Sequence, residues 1–574
     1  MDVESKDSLS RKSNESVESF EEKPSFGRRV KNVLLLKELF SKNEERPTPK
    51  EVYNFRTYGT AFMTSAAAII IGYDSSFIGG VMALDSFKSE FGLDEMTQSH
   101  ASYVISNIIS SFHAACFFGA LISYPFSHYY GRKVTLLIAS FMMTVGSAIM
   151  LAASNSVGLG PIYAGRVLGG LAVGFSTNVT VIYLSEIGPP SIRGMLVSMY
   201  ELCWRIGDLN GFWINYGVDS NIAPSRKQWL IPFAIQLIPS ALFLIGSILM
   251  KESPRWLFSV GRDEQALKNL LWFRRLPRDS EYIIYEVNQI KLNIDYQRTH
   301  VGLGLWDPFK QVFFKDRRIL KRLFITGCIF VFQSFLGIQS INYYSPIFFR
   351  NLGVKGTNAT LFSTGIFGLV KFVCTFIYIL FIVENLGRTK ALMISSTICA
   401  ICFWYIGTYL KLNDPSDPSY VADAGGRATI AMMYIWVASF IMAWSSAPFV
   451  IGSEVFDQNI RSFVQAINAA ICWVPIFILS RYTANMVQAM GYGVYYFFAS
   501  ITVISVPFVF FLVPETKGIA LEDMDKLFDR RIPAYKAHKI VFEARLRENK
   551  QIMNHEIKDI NSRKSNEIQN IEYA

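Results

Sequence analysis

The sequence is short of the groups that most enzymes use for catalysis. Of its 574 residues, 18% are charged, 6 are histidines and 7 are cysteines. Its motifs include no phosphate-binding glycine loop, metal-ligand cluster or nucleophile triad. The cysteines lie inside apolar segments, where thiols usually pack as small hydrophobic groups, so neither disulfides nor a redox or metal role for Cys399 and Cys402 is expected. We therefore predict a protein that is not an enzyme and needs no metal or organic cofactor.

Long apolar runs fill the sequence instead. Hydrophobic residues make up 51% of it, aromatic residues 14%, and the mean hydropathy is +0.26. A helix that crosses a bilayer needs about 20 mostly apolar residues. These runs predict an all-α integral membrane protein with twelve transmembrane helices. The predicted spans lie near residues 56–82, 102–125, 134–154, 161–186, 195–217, 229–250, 321–349, 359–383, 390–411, 428–453, 462–489 and 491–513.

Charged stretches divide the chain into five parts. The predicted parts are a cytoplasmic N-terminal tail at 1–55, a six-helix half at 56–250, a cytoplasmic central loop with short helices at 251–320, a second six-helix half at 321–513, and a cytoplasmic C-terminal tail at 514–574. The net charge of +10 comes from tails, central loop and short turns. That distribution is typical of cytoplasmic loops, so no nucleic-acid partner is expected. The polar N-terminal segment resembles no cleavable leader, so we expect it to be retained.

Basic residues predict the orientation in the membrane. Arg132, Arg193, Arg388 and Arg461 all lie beside the same ends of the predicted spans, and basic residues in such positions stay cytoplasmic. Both termini are predicted on that side. The opposite side includes Asn358, the acceptor of an Asn-Ala-Thr glycosylation sequon. We expect a multi-pass protein of the plasma membrane.

The two halves repeat the same short motifs six spans apart. A Gly-Arg turn follows the second span of each half, and a Glu and an Arg seven residues apart follow the fourth. The matched features are Gly131 to Lys133 with Gly387 to Lys390, and Glu186 and Arg193 with Glu454 and Arg461. Such a repeat predicts two halves related by an axis along the membrane normal, with a site between them.

Taken together, the motifs resemble the sugar porter family of the major facilitator superfamily. The resemblance runs from about Thr60 to Leu521, and residues 211–218 and 368–371 look most like the fungal branch of fructose/proton symporters and quinate permeases. The motifs are Gly72-Tyr73-Asp74, Gly165 to Gly170, Tyr183 to Gly194, Glu252 to Leu257, Gly337 to Pro346 and Pro514 to Gly518. The resemblance implies a major facilitator fold that works by alternating access.

The resemblance also implies roles for individual residues. It places Asp74 opposite Arg166 as the proton-coupling pair. It implies solute contacts at Glu201, Arg205, Asp208, Gln333, Ser334, Gln339, Tyr343, Tyr344, Lys371, Phe449 and Trp473. It implies a cytoplasmic gating network of Arg132, Glu186, Arg193, Glu252, Arg255, Arg388, Glu454 and Arg461. Several solute positions differ from the family pattern, among them Glu201, Ser334, Gln339 and Phe449.

Charges at mid-membrane depth are costly unless they are paired or functional. Glu201, Arg205 and Asp208 recur at helical spacing and share one face of the fifth span, with Lys371 as their expected partner across helices. The alternative is an internally paired structural strut. With Asp74 and Arg166, the cavity holds three acids and three bases, so it is neutral when all are ionised, which favours an uncharged solute.

Helix breaks are expected in the second half. Gln333 and Gln339 can both donate to and accept from solute hydroxyls, but they point about 120° apart on a regular helix. Joint contact therefore predicts unwinding near Gly337. Pro448 and Pro475 are predicted to break the tenth and eleventh spans. His113 is interpreted as a packing histidine.

The sequence thus predicts proton-coupled uptake of a hexose, with fructose as the leading candidate. The alternatives are a quinate-like polyol acid whose carboxylate Arg205 and Lys371 would hold, a facilitative sugar transporter, and a sugar sensor that does not transport. The expected partners are the sugar, protons and the lipid bilayer. The serines of the N-terminal tail also predict regulation by kinase and ubiquitin machinery.

Overall fold

The computed structural model describes residues 48–189, 192–302, 304–378, 387–413, 423–456, 458–516, 524–528, 532–544 and 547. Within these residues the secondary structure is helical, with one isolated β-bridge between Ser154 and Gly158. The helices of the first half are α1 (Phe55–Ala83), α2 (Asp85–Glu90), α3 (Gln98–Met150), α4 (Gly160–Ile187), α5 (Arg193–Asn221), α6 (Arg226–Ile235) and α7 (Leu237–Leu249).

Short helices of the central loop follow, and then the second half. The loop contains α8 (Pro254–Ser259), α9 (Asp263–Arg274), α10 (Glu281–His300) and α11 (Asp307–Lys310). The second half contains α12 (Arg317–Phe335), α13 (Ile338–Asn351), α14 (Thr357–Ile377), α15 (Arg388–Leu412), α16 (Ala424–Ile441), α17 (Ala447–Glu454), α18 (Gln458–Met490) and α19 (Gly493–Leu512). A short helix, α20 (Met524–Leu527), follows the last span.

Twelve spans can be traced through these helices. Ten helical stretches of the described chain are long and apolar enough to cross a membrane. One of them, α3, contains two spans, because Gly131 leaves the helical conformation at φ 88° and turns the chain. The twelfth is α5, which is long enough but carries Glu201, Arg205 and Asp208 at its centre. The turn between the second and third spans, predicted over residues 126–133, is therefore much shorter than expected.

Three spans are built from two helices each. The seventh breaks between α12 and α13 at Gly337, whose φ of 96° suits glycine. The tenth breaks at residues 442–446, and Pro448 lies in the first turn of the second piece, which begins at Ala447. The sixth is interrupted at Gln236. The predicted breaks near Gly337 and Pro448 are confirmed, whereas the predicted break at Pro475 is wrong, since Pro475 lies inside the uninterrupted α18.

The two halves meet along a seam of helix pairs. Across it, α3 packs against α18, α1 against α13, and α5 against α14. We call the end of the bundle with Gly131 and Gly387 the basic end. There, Tyr124 and Phe463 bring their rings within 5.2 Å across the seam. At the opposite end, the Arg481 guanidinium lies 4.4 Å from the ring of Tyr103. Side chains of the two halves therefore touch at both ends of the seam.

Candidate solute and proton site

A buried ion pair joins the first and fourth spans. Arg166 on α4 donates from Nη1 to Asp74 Oδ1 on α1 at 2.9 Å, and the two side chains are 0% and 1% exposed. Arg166 also donates to the carbonyl oxygen of Ile109 at 3.3 Å and lies over the ring of Phe112, 4.6 Å from its centroid. The structure thus brings together the two residues that the sequence pattern placed opposite each other.

The Asp74 carboxylate is only partly satisfied. Gln236, at the interruption of the sixth span, donates to the same Oδ1 at 3.3 Å. Oδ2 of Asp74 and Nε of Arg166 are buried and have no hydrogen-bond partner within the described protein. A buried acceptor without a donor is unfavourable, and protonation would turn that oxygen into a donor. The ion pair is therefore buried with one carboxylate oxygen and one guanidinium N–H left without hydrogen-bond partners.

A second set of charges forms a chain of alternating sign. Arg205 donates to Glu201 at 2.6 Å and to Asp208 at 2.7 Å on the same helix. Lys371 on α14 then lies 2.6 Å from Asp208. Of the two acids on this face of α5, the one that pairs with Lys371 is thus Asp208 rather than Glu201. Exposure falls along the chain, from 15% for Glu201 and 10% for Arg205 to 0% for Asp208 and 1% for Lys371.

Asp208 and Lys371 belong to a closed polar ring across the seam. Lys371 donates to Asn342 Oδ1 at 2.8 Å, Asn342 donates to the carbonyl oxygen of Ser75 at 3.2 Å, and the Ser75 hydroxyl reaches Asp208 Oδ1 at 2.8 Å. The ring contains two residues of each half. Because Ser75 follows Asp74 directly, the ring and the Asp74–Arg166 ion pair share a turn of α1.

The break in the tenth span supplies further contacts. Ser445 lies in this break, donates to Glu201 at 2.7 Å and accepts from Arg205 at 2.6 Å. Gln333 on α12 donates to the carbonyl oxygens of Trp444 and Ser445 at 2.8 and 3.0 Å. Gln333, expected to contact the solute, therefore holds the broken backbone in this state.

Aromatic side chains complete the seam beside the ion pair. Tyr343 shares a 2.8 Å hydrogen bond with His113, and the ring of Trp473 stacks on His113 with centroids 6.0 Å apart. His113 is buried on α3 and so makes a specific contact between the halves, beyond the packing role the sequence suggested. Tyr344 donates to the carbonyl oxygen of Ser480 at 2.6 Å and points away from this group.

Three other expected solute residues make no hydrogen bond or ring contact to the charged cluster within the described chain. Phe449 is 40% exposed and packs edge-on against Phe330. Ser334 donates to the carbonyl oxygen of Phe330 on its own helix at 3.3 Å. The side chain of Gln339 is half-buried and makes no hydrogen bond to the described protein. The contacts therefore join Glu201, Arg205, Asp208 and Lys371 to Gln333 through Ser445, and do not include these three residues.

Sequence reasoning missed several members of the site. Ser75, Asn342, Ser445 and Gln236 are neutral side chains in apolar helices, so neither charge nor spacing drew attention to them. Their role depends on which helices meet across the seam. Residue spacing along one helix carries no such information.

At the basic end, a glutamate clamps the turn of the first half. Glu252 accepts backbone N–H groups of Arg132 at 2.9 Å and of Lys133 at 3.1 Å. Burial raises the pKa of Glu252, although these N–H groups oppose the rise. Arg132 also forms a forked ion pair with Glu186 at 2.7 and 3.0 Å. Three of the expected gating residues are therefore in contact.

The second half has a matching clamp that the sequence analysis did not assign. Glu515 accepts the backbone N–H groups of Arg388 and Thr389 at 2.9 and 3.0 Å. Glu515 thus binds backbone N–H groups of the turn at residues 387–390, as Glu252 binds those of the turn at residues 131–133.

The remaining gating residues are placed less completely. Arg461 donates to the carbonyl oxygen of Phe456 at 3.1 Å. Arg193 begins α5, and Arg255 lines a cavity of about 180 Å³ at the basic end, together with Arg132 and Glu186. The side chain of Glu454 lies outside the described part of the chain.

The sequon lies at the end opposite the basic end. Asn358 is exposed and donates from Nδ2 to the Ser220 hydroxyl at 2.7 Å, at the end of α5. The side chain that would accept a glycan is therefore accessible. Its hydrogen bond to Ser220 crosses the seam between the two halves.

Comparison with known proteins agrees with these features. Residues 60–528 match the family described as Sugar (and other) transporter. The chain is 47% identical over 527 residues to the protein named probable quinate permease of Aspergillus flavus, covering 92% of this chain and 98% of that protein. It is 49% identical over 501 residues to the protein of the same name of Aspergillus niger, covering 87% and 93%.

Solved structures share the architecture. The MFS proton:xylose symporter XylE bound to 6-bromo-6-deoxy-D-glucose superposes with a TM-score of 0.68 at 24% identity, covering 82% of this chain and 99% of that chain. The inward-open xylose transporter XylE from E. coli gives 0.65 at 23% identity, covering 82% and all of that chain. At such identities the likeness concerns the fold alone, and it confirms the predicted fold of two six-helix halves.

Proposed function

Because this chain belongs to the sugar (and other) transporter family, we propose that it is a proton-coupled symporter of a polyhydroxylated ring acid of the quinate type. It is a multi-pass membrane protein whose site lies between the two halves. The observation that carries the proposal is the dry Asp74–Arg166 pair, one residue away from a second charged cluster on the seam. The protein works in the plasma membrane with its basic end in the cytoplasm.

Proton coupling follows from the chemistry of Asp74. Desolvation favours the neutral carboxyl form, and the adjacent guanidinium favours the carboxylate. Movement of Arg166 relative to Asp74 between outward-facing and inward-facing states therefore loads and releases a proton. Ser75 follows Asp74 in the chain and donates to Asp208, so movement at the ion pair is transmitted to the charged cluster that binds the solute.

The solute class rests on the relatives and on the polar side chains of the site. Both Aspergillus relatives are named probable quinate permease. Quinate carries ring hydroxyls and a carboxylate, which suit the amides of Gln333 and Gln339 and the cations of Arg205 and Lys371. Fructose is the second candidate. The neutral sum of the six buried charges suits an uncharged solute when no proton is bound, whereas a sugar that enters with a proton leaves that sum at one positive charge.

Transport assays distinguish the candidates. The full chain is expressed in a cell that lacks its own hexose and quinate carriers, and uptake of labelled quinate, fructose and glucose is followed. We expect quinate to accumulate above its external concentration at acidic external pH, and a protonophore to abolish this accumulation. Accumulation of fructose but not of quinate would favour the second candidate. If the cells take up neither solute, both candidates are contradicted.

A further inference from the structure

The six mid-membrane charges are divided unequally between the halves. The first half holds Asp74, Arg166, Glu201, Arg205 and Asp208. The second half holds Lys371, on α14. Other basic side chains of its described spans lie toward helix ends, among them Arg322 near the start of α12 and Arg481, which stacks on Tyr103 at the far end of the seam. With all six ionised, the first half has one excess negative charge and the second half one excess positive charge.

The two excess charges meet in the Asp208–Lys371 pair. Their charged atoms are 2.6 Å apart, and both side chains are buried. Alternating access moves the halves against each other at this level. A movement that parts α5 from α14 would leave the ammonium of Lys371 without its acid in the second half and one excess negative charge in the first half, where Asp208 keeps only Arg205 as a cationic partner. Both are strongly unfavourable in a dry site.

We propose that the Asp208–Lys371 pair is an internal substitute for the cargo: when it parts, the second half takes a solute carboxylate and the first half takes a proton. This inference rests on the proposed function. One proton and one monocarboxylate return each half to zero net charge. The stoichiometry is then one to one, and the loaded carrier moves no net charge across the membrane.

The contacts of Lys371 suit a carboxylate. An ammonium has three N–H donors, and Asp208 and Asn342 take two of them. The ammonium also lies 5.6 Å from the ring centroids of Phe212 and Phe367. A solute carboxylate that replaced Asp208 would keep a negative partner on Lys371 beside these apolar walls.

The contacts of the first half provide a place for the proton. The groups facing Asp208 are Arg205 on its own helix, Ser75 on α1 and Lys371 on α14, so loss of Lys371 removes one of two cations. Asp74 is faced by Arg166 and Gln236, and its Oδ2 has no partner within the described protein. The proton therefore goes to Asp74, and the first half regains zero net charge. A neutral sugar supplies nothing for Lys371.

Reconstitution of the full chain in liposomes tests the inference. Labelled quinate uptake is measured with a pH gradient and a potassium-diffusion potential imposed independently. We expect the pH gradient to drive accumulation and the potential to leave it unchanged. A carrier that moved one net charge would change its accumulation ratio by about 50-fold per 100 mV.

Paired variants locate the effect. Asp208→Asn with Lys371→Gln leaves both halves neutral without cargo. We expect this double variant to lose quinate uptake by about 10-fold or more, as loss of a buried charge partner implies, and to exchange the neutral methyl ester of quinate regardless of the pH gradient. The matched control is Arg132→Gln with Glu186→Gln, which removes an ion pair of the first half outside the solute site and keeps the net charge of each half. Its uptake should stay driven by the pH gradient and insensitive to potential, whatever its rate.

The outcomes separate this inference from the proposed function. Wild-type protein that takes up no quinate would overturn both. Wild-type quinate uptake that follows the membrane potential would overturn the inference alone, and this measurement needs no variant to fold. A double variant that keeps pH-driven quinate uptake at the wild-type rate would also overturn it.

Discussion

The first and fourth spans differ from their counterparts in the second half, the seventh and tenth. α1 and α4 run unbroken over 29 and 28 residues and carry the ion pair of Asp74 and Arg166. The seventh and tenth spans are each broken, and the break of the tenth presents two backbone carbonyl oxygens to which Gln333 donates. The repeat thus uses continuous helices to hold charge in one half and interrupted helices to expose backbone in the other.

The largest effect is expected when the acid of the ion pair in the first half is removed. Asp74→Asn keeps the shape of the side chain but cannot bind and release a proton. We expect uphill accumulation to be lost, with some downhill exchange retained. Ser76→Ala is the control, because Ser76 is buried on the same helix and bonds the carbonyl oxygens of Gly72 and Tyr73. Uphill accumulation by Asp74→Asn equal to wild type would remove Asp74 from coupling.

The second prediction removes the support of the broken tenth span. Gln333→Ala leaves the carbonyl oxygens of Trp444 and Ser445 without their donor, at a cost of about 1–3 kcal/mol for each buried group. We expect a lower thermal unfolding temperature of the purified protein. Gln339→Ala is the matched control on the same span and should leave stability unchanged while raising KM if that amide contacts solute. Equal stability of the two variants would show that Gln333 does not hold the break.

The third prediction compares the clamps that the two halves share. Gly131 and Gly387 have φ of 88° and 82°, so alanine at either costs about 1–2 kcal/mol. A methyl group would also meet the carboxylate of Glu252 in one half and of Glu515 in the other, and at Gly131 the ring of Trp256 as well. We expect Gly131→Ala to lower thermal stability more than Gly387→Ala. The reverse order would contradict an additional steric cost from Trp256 at Gly131.

The smallest expected effect lies at the far end of the seam. Asn358→Gln removes the sequon and the exposed hydrogen bond to Ser220, which is worth about 0.5–1.5 kcal/mol. We expect the protein to lose the band shift caused by a glycosidase, with uptake KM nearly unchanged. Ser220→Ala removes the bond and keeps the sequon, so it should retain the shift. A wild-type protein without any shift would contradict glycosylation of Asn358.

Most of the fold could be predicted from the sequence because hydrophobic length alone identifies a span. The fifth span was predicted with the other apolar runs although it carries charges, and the prediction of its inward face came from the spacing of Glu201, Arg205 and Asp208. Gly337 was found from the incompatible directions of two glutamines. The prediction failed at Pro475, since a proline in a long packed helix can be accommodated without breaking it.

The site could be predicted only as far as charge and motif reach. Asp74 and Arg166 were paired from motifs, and Lys371 was assigned to the stripe without a specific acid. The choice of Asp208 depends on which turn of α5 faces α14. The neutral members of the ring, Ser75 and Asn342, are determined by the crossing of four helices, which a linear sequence does not express.

Ser75 has a further consequence for how the site can be observed. Its hydroxyl has a single hydrogen, yet two acceptors lie at 2.8 Å, the carbonyl oxygen of Gly72 and Oδ1 of Asp208. An ionised Asp208 is the stronger acceptor, so the direction of this O–H bond depends on the charge of Asp208. The stretching frequency of that one hydroxyl is therefore a spectroscopic reporter of the carboxylate, readable by infrared difference spectra of wild type against Ser75→Ala.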